Sequence, residues 1–271
     1  MPLSPPDLGS LSVFDLRAHL LAGSGLPGPR ANLSLVDRCA AEVDLTTLRR
    51  LSGETDEYLA TCGTAGVGRA MAGTEVGTET FAALLGVLTE RARDDRWRVR
   101  EGVARGLQLA ADVIAPASAV WGPASPVASA ISTWTLSEDP RLVRAALATI
   151  CEPRLLHAPE AAAAALASCG RATTLFASAD AATRRTDAWV SLRKTLEYAW
   201  SVAVAADSAA GLPVFRRLLD DPSPVVRSLA SKNRTRSRLA KIVDRAPDPP
   251  APQATAAPQA AAPAGRAPSG R

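Results

Sequence analysis

Hydrophobic residues recur along this chain at helical spacing, and no run alternates with period two over strand length. In LSVFDLRAHLLA, 11–22, Leu11, Phe14, Leu16, Leu20 and Leu21 fall roughly on one face. The next stretch, GSGLPGPRANLSL, carries two prolines and three glycines and is expected to turn. Short helices follow over DLTTLRRL and DEYLATCGTAGVGRAMA. TETFAALLGVLTERAR, 78–93, predicts a stronger helix with Phe81, Leu84, Leu85 and Leu88 inward. Beyond it the pattern predicts helices over 96–113, a Pro-interrupted pair within 115–134, then 141–156, 159–168, 187–206, 212–220 and 223–244. The expected fold is all-α.

A longer period underlies these helices. Asp94 precedes Val99-Arg100, Glu138 precedes Val143-Arg144, Asp187 precedes Leu192-Arg193, and Asp221 precedes Val226-Arg227. Each unit reads acid-x4-[VL]-Arg at the expected start of a helix. The arginines lie 44, 49 and 34 residues apart, a mean within the ~40–47 of two-helix repeats. An acid at a helix start can accept from free backbone N–H groups and faces the positive dipole end. The Val or Leu points into the core. The arginine is expected to reach the acid of a neighbouring repeat with two parallel bonds, as a ladder.

DDRWRVREGVARGLQ, EDPRLVRAALATICEPRLL and DDPSPVVRSLASKN resemble HEAT repeats, whose hallmark is a turn aspartate and the Val-Arg of the second helix. The resemblance covers about 90–244 and extends to residue 11, where the helices fit but the acid-x4-[VL]-Arg unit is missing. Together with GLPGPRANLSL and YAWSVAVA, the pattern is also similar to uncharacterised bacterial HEAT-repeat proteins, a group near the HEAT-like DNA alkylation repair glycosylases. The resemblance implies an armadillo-like α-solenoid of two-helix repeats over 11–245, behind a flexible N-terminus, 1–10. Residues 246–271 hold seven prolines and ten alanines with no larger aliphatic or aromatic side chain. Such a segment buries too little to offset its ordering entropy and is expected to be disordered.

Composition narrows the function classes. Hydrophobic residues make up 47% but aromatics only 4%, which suits close helix packing. A net charge of +4 permits nucleic-acid contact without demanding it. Cys39, Cys62, Cys151 and Cys169 are widely spaced with no C-x-x-C, as expected of free buried thiols in a reducing cytoplasm. MPLSPPDLGS lacks a basic segment followed by an apolar run, so no secretory signal is expected. No apolar stretch approaches the ~20 residues of a membrane span.

The densest charge lies in RSLASKNRTRSRLAKIVDR, 227–245, with seven basic residues and one acid. As one helix it places Arg234, Arg238, Lys241 and Arg245 on a single stripe, widened by Lys232 and Arg236. Such a ridge could contact phosphates. A terminal repeat must also be polar outside, and that reading is favoured. In the opening unit, Arg100 belongs to the ladder, whereas Arg96 and Arg98 are the freer candidates for a partner or a phosphate. Trp97 lies at the helix start; the usual burial of tryptophan favours packing against the previous helix.

Catalytic chemistry is thin. The alkylation repair glycosylases use aromatic side chains and a carboxylate beside a positive groove. Trp97-x3-Glu101 and Trp134-x3-Glu138 place a tryptophan and an acid at spacing four. Yet Glu138 doubles as a repeat acid, and the family's carboxylate is an aspartate, so no catalytic residue is assigned. His19 and His157 lack neighbouring metal-ligand partners, and no metal or cofactor is expected. Cys151 and His157 lie about 120° apart on a helix, and Cys151 is read as core. GTAGVG, 63–68, follows a helical segment and not a strand, so tight helix contact is preferred to phosphate binding. Tyr198 and Trp200 are read as core or inner-groove residues.

The expected function is a non-enzymatic cytoplasmic scaffold holding a protein partner in its groove. The alternative is a nucleic-acid-binding module related to the glycosylases. A nucleic-acid binder should gather Arg96, Arg98, Arg141, Arg193, Lys194 and the 232–241 cluster on one surface. A scaffold should scatter them and present an apolar or mixed groove.

Overall fold

A computed structural model describes residues 6–73, 77–114, 117–122 and 124–244. The Pro/Ala-rich stretch expected over 246–271 lies outside the described residues, as do Arg245 and residues 1–5 of the N-terminus. The described residues are helical throughout, with no strand. In order they form α1 (Val13–Ala22), α2 (Leu33–Glu42), α3 (Leu45–Ser52), α4 (Glu57–Ala70), α5 (Thr78–Ala92), α6 (Trp97–Val113) and α7 (Pro126–Thr135). There follow α8 (Pro140–Ile150), α9 (Pro159–Ser178), α10 (Asp187–Ala206), α11 (Ser208–Leu219), α12 (Pro224–Arg234) and α13 (Ser237–Val243).

Local chemistry sets most of the starts. Ser12, Asn32, Asp44, Asp56, Ser125, Asp139 and Asp207 each accept a backbone N–H from the first turn of the helix that follows. Pro126, Pro140, Pro159 and Pro224 occupy first-turn positions, where a missing N–H costs nothing. Of the expected flexible stretch 1–10, Leu8–Ser10 forms a 3-10 turn. There Leu8 is buried and donates its N–H to Glu42 Oε2 at 2.9 Å.

Several element boundaries differ from the periodicity. α8 stops at Ile150, short of the expected 156, ahead of Pro153. α11 starts at Ser208 behind the Asp207 cap, four residues before the expected 212. α2 begins inside the stretch expected to turn, because Leu35, Val36, Cys39 and Ala40 form a buried helical stripe behind the Asn32 cap. α9 runs to Ser178, ten residues past its expected end at 168. Its buried stripe continues through Cys169, Ala172 and Phe176, and that packing outweighs the ~1 kcal/mol penalty of Gly170. The helix expected over 223–244 breaks at Thr235 and Arg236. Asn233 Nδ2 and Thr235 Oγ1 bond the Leu229 and Lys232 carbonyls, side-chain bonds that compete with a continued helix.

The helices sort into two sets. α4, α6, α8, α10 and α12 pack on one another in succession, and each of α3, α5, α7, α9 and α11 packs on the helix after it. α1 and α2 cover α4, while α13 closes the far end on α10 and α12. One hydrophobic core, from Leu8 to Leu239, runs through all of them.

Two close helix contacts explain the glycines of 63–68, which sit inside α4: Gly63 and Gly66 lie against Leu48–Ser52 of α3, and Gly68 lies against α6. A Cβ on Gly68 would lie 2.7 Å from Gly106 Cα, and one on Gly106 would lie 2.6 Å from the Ala65 carbonyl oxygen. The two backbones touch directly, and any side chain there would hold them apart.

Candidate functional site

The turn between α5 and α6 folds around its own charges. Asp94 accepts the Arg96 N–H at 2.9 Å and pairs with the Arg96 guanidinium at 2.7 Å. That guanidinium holds the Asp94 carboxyl below the usual carboxylate range. Arg100 Nη1 closes the turn on the carbonyls of Asp94 and Asp95, the latter at 2.8 Å. The turn before α12 repeats this: Asp221 accepts the Ser223 N–H at 2.8 Å, and Arg227 Nη1 bonds the Asp221 and Pro222 carbonyls.

The ladder expected between repeats therefore takes another form. Arg100 and Arg227 are spent on their own turns, because their side chains lie directly over the carbonyls that the chain reversal leaves free. Arg144 crosses to α6, bonding the Arg100 carbonyl at 3.3 Å and pairing with Glu101, which is not a turn acid. Asp139, not Glu138, caps α8 and pairs with Arg93 at 2.6 Å. Asp187 is exposed in the first turn of α10 with no capping bond, and Arg193 pairs within its helix with Glu197 at 2.7 Å. Asp56 caps α4 in the same manner as Asp139, but six residues on stands Cys62, so the acid-x4-[VL]-Arg pattern missed it.

Arg96 and Arg98, the freer arginines in the sequence reading, are committed within the chain. Arg96 Nη1 reaches back to the carbonyls of Glu54 and Thr55 at 2.8 and 2.9 Å, and Arg98 pairs with Glu57 at 2.7 Å. Trp97 does the opposite of what its type favours. It is 54% exposed, with the Arg98 guanidinium 4.8 Å from its ring centroid. Trp134 and Glu138 do not share a helix face: Trp134 is buried, bonding Thr89 Oγ1 at 3.1 Å, and Glu138 lies beyond the end of α7.

Trp97 stands where two cavities meet, of about 640 and about 670 Å³, which share Trp97, Glu101 and Tyr198. Leu33 and Val36 from α2, Pro153 and Val202 give the first an apolar side. Arg100, Arg141, Arg144 and Lys194 bring the second its charge, across from Asp95, Glu101 and Asp187. Four cations lining the cavities have acidic partners: Arg98 with Glu57, Arg105 with Asp37, Arg141 with Asp95, and Arg144 with Glu101. Arg30, Arg100, Lys194 and Arg238 form no ion pair among the described residues. Arg144 is 9% exposed and its Nε has no partner among the described residues. Burial, then the neighbouring Arg100 guanidinium, pushes its pKa down; burial and Arg141 do the same to Arg100.

The stripe of 227–245 expected on one continuous helix is split between α12 and α13 by the break at Thr235 and Arg236. Lys232, Arg234, Arg238 and Lys241 are all exposed, and of these Arg238 lines the first cavity. Arg236 bonds the Glu197 carbonyl at 3.3 Å. Arg245 lies outside the described residues.

The remaining candidates sit in the scaffold. Cys151 and Cys169 are buried with their Sγ atoms 3.8 Å apart, and burial raises the Cys169 thiol. Trp200 is buried and donates to Thr173 Oγ1 at 2.9 Å, whereas Tyr198 is half-buried in the wall shared by the cavities. Among the described residues no group of three or more His, Cys, Asp or Glu is placed to hold a metal ion. No helix among them is long and apolar enough to cross a membrane. Compared with protein-family models, curated proteins and solved structures, the chain matches none.

Proposed function

We propose that this chain is an α-solenoid of HEAT-like two-helix repeats that acts as a non-enzymatic scaffold, holding a segment of a protein partner in the groove around Trp97. The successive packing of α4, α6, α8, α10 and α12 supports the repeat reading. The exposed Trp97 carries the functional one: a large aromatic held open between an apolar wall and a charged one is a typical protein-binding anchor. Of the cations a nucleic-acid binder should gather, Arg98, Arg141, Lys194 and Arg238 line the cavities, but Arg98 and Arg141 are paired with Glu57 and Asp95. Arg96, Arg193, Lys232, Arg234 and Lys241 lie outside the cavities. That scatter favours a protein over a phosphate backbone. Free buried thiols suit a reducing cytoplasm.

A photo-crosslinking amino acid at position 97 of the full chain, expressed in its native cell, tests this. The expected adduct is a polypeptide, absent when the probe replaces exposed Ala83 on α5. Adducts with nucleic acid would overturn the reading. So would salt-dependent binding of labelled duplex DNA that weakens when Arg234 and Arg238 are neutralised.

A further inference from the structure

We infer that the segment held in this groove is acidic, carrying carboxylates beside an apolar or aromatic residue that rests on Trp97. The inference builds on the scaffold reading above and names the partner's chemistry. Charge complementarity carries it. Arg30, Arg100, Lys194 and Arg238 line the two adjoining cavities without ion-pair partners, and Asp187 is the one lining carboxylate left unpaired among the described residues.

These cations come from four separate parts of the chain, so no single helix face accounts for their gathering. Arg30 precedes α2, Arg100 lies on α6, Lys194 on α10 and Arg238 on α13. Arg30, Lys194 and Arg238 are exposed, and no side-chain hydrogen bond or ion pair holds any of them among the described residues. Burial and mutual repulsion destabilise the positive charge at Arg100 and its neighbour Arg144. A carboxylate entering the cavity would offset the repulsion among these guanidinium groups. The apolar wall of Leu33, Val36, Pro153 and Val202 fits a polypeptide, which can seat an apolar side chain there, better than a polyphosphate, which has none.

A random twelve-residue peptide library selected on the immobilised full chain tests the inference, with binders measured by fluorescence anisotropy. Selected peptides should be rich in Asp and Glu around an apolar or aromatic residue. Their affinity should fall with added salt, and Trp97→Ala should weaken it. The triple variant Arg30→Gln, Lys194→Gln, Arg238→Gln should lower it about tenfold, with an unchanged melting curve. Neutral or basic peptides, or peptides indifferent to the triple variant, would overturn the inference and leave the groove reading standing. A selection with no Trp97-dependent peptide, or a groove that prefers single-stranded DNA, would overturn both.

Discussion

α6 and α12 start from the same closed turn and are seated in opposite ways. Each is preceded by an aspartate that accepts the N–H two residues on, and each carries an arginine that bonds the two turn carbonyls. α6 then meets α4 through bare backbone, with Gly68 and Gly106 in contact. α12 meets α10 through Asn233, which is fully buried. Its Nδ2 donates to the Leu196 carbonyl at 2.7 Å and its Oδ1 accepts the Ser201 N–H at 2.9 Å. A shared turn signature thus says where a helix begins, while the small or polar residues on its buried face decide how it sits.

The largest effect should come from the backbone seat. Gly106→Val would drive a side chain into the Ala65 carbonyl and Gly68, and should cost about 3 kcal/mol or more. Gly170→Ala, where a Cβ meets open space, should instead be stabilising by up to ~1 kcal/mol. Denaturant midpoints would read both, and equal losses at the two sites would contradict the close α4–α6 contact.

Asn233→Ala comes next. It leaves the Ser201 N–H and Leu196 carbonyl of α10 without their side-chain partner and should cost roughly 2–3 kcal/mol. Hydrogen exchange should rise first at Ser201, the N–H that Asn233 holds; exchange unchanged there would remove Asn233 as the link.

The shared turn makes a smaller, paired prediction. Arg100→Gln and Arg227→Gln should each lose about 1 kcal/mol, since both release two carbonyls. Arg193→Gln, which gives up an ion pair within one helix, should stay within about 0.5 kcal/mol. A loss at Arg193 as large as at Arg100 would show that the sequence signature carries one energy wherever it occurs.

The smallest effect separates the two turns by pH. The Arg96 guanidinium lowers the folded pKa of Asp94, whereas the turn before α12 has Ser223 at the equivalent place. Stability from Asp94 is therefore complete above its unfolded value, about 3.9, and is lost as pH falls through the lower folded value. Asp94→Asn should lower stability at neutral pH and converge on the parent chain in acid. Parallel acid-unfolding curves would refute the pairing as the cause.

Helical period and two of the four turn acids, Asp94 and Asp221, were legible because each depends on residues within one or two turns of the chain. By contrast, Asp139 takes the place expected of Glu138, and Asp187 makes no capping bond. Leu84 and Leu88 are buried as their spacing required, and the small residues of 63–68 serve a tight helix contact. Trp97 was less legible, since its type speaks for burial and only its neighbours leave it open. Arg96 and Arg98 were misjudged for a similar reason. Arg96 has a near partner in Asp94, but its other partners, Glu54 and Thr55, and Glu57, the partner of Arg98, are about forty residues away, on the turn and helix that α6 packs beside.

By itself, then, the sequence determined an all-helical chain, the position of most helices and the Asp-to-Arg turns before α6 and α12. These follow from backbone hydrogen bonding and short-range sterics, which act between neighbours along the chain. Tertiary structure alone decided which of the cavity-lining cations were neutralised and which were left without a carboxylate partner. Glu57 and Asp37 quench Arg98 and Arg105, and no carboxylate comes within ion-pair distance of Arg30, Arg100, Lys194 or Arg238 among the described residues. Ion pairing depends on distance in space, and helix packing sets that distance with no regard to separation along the chain.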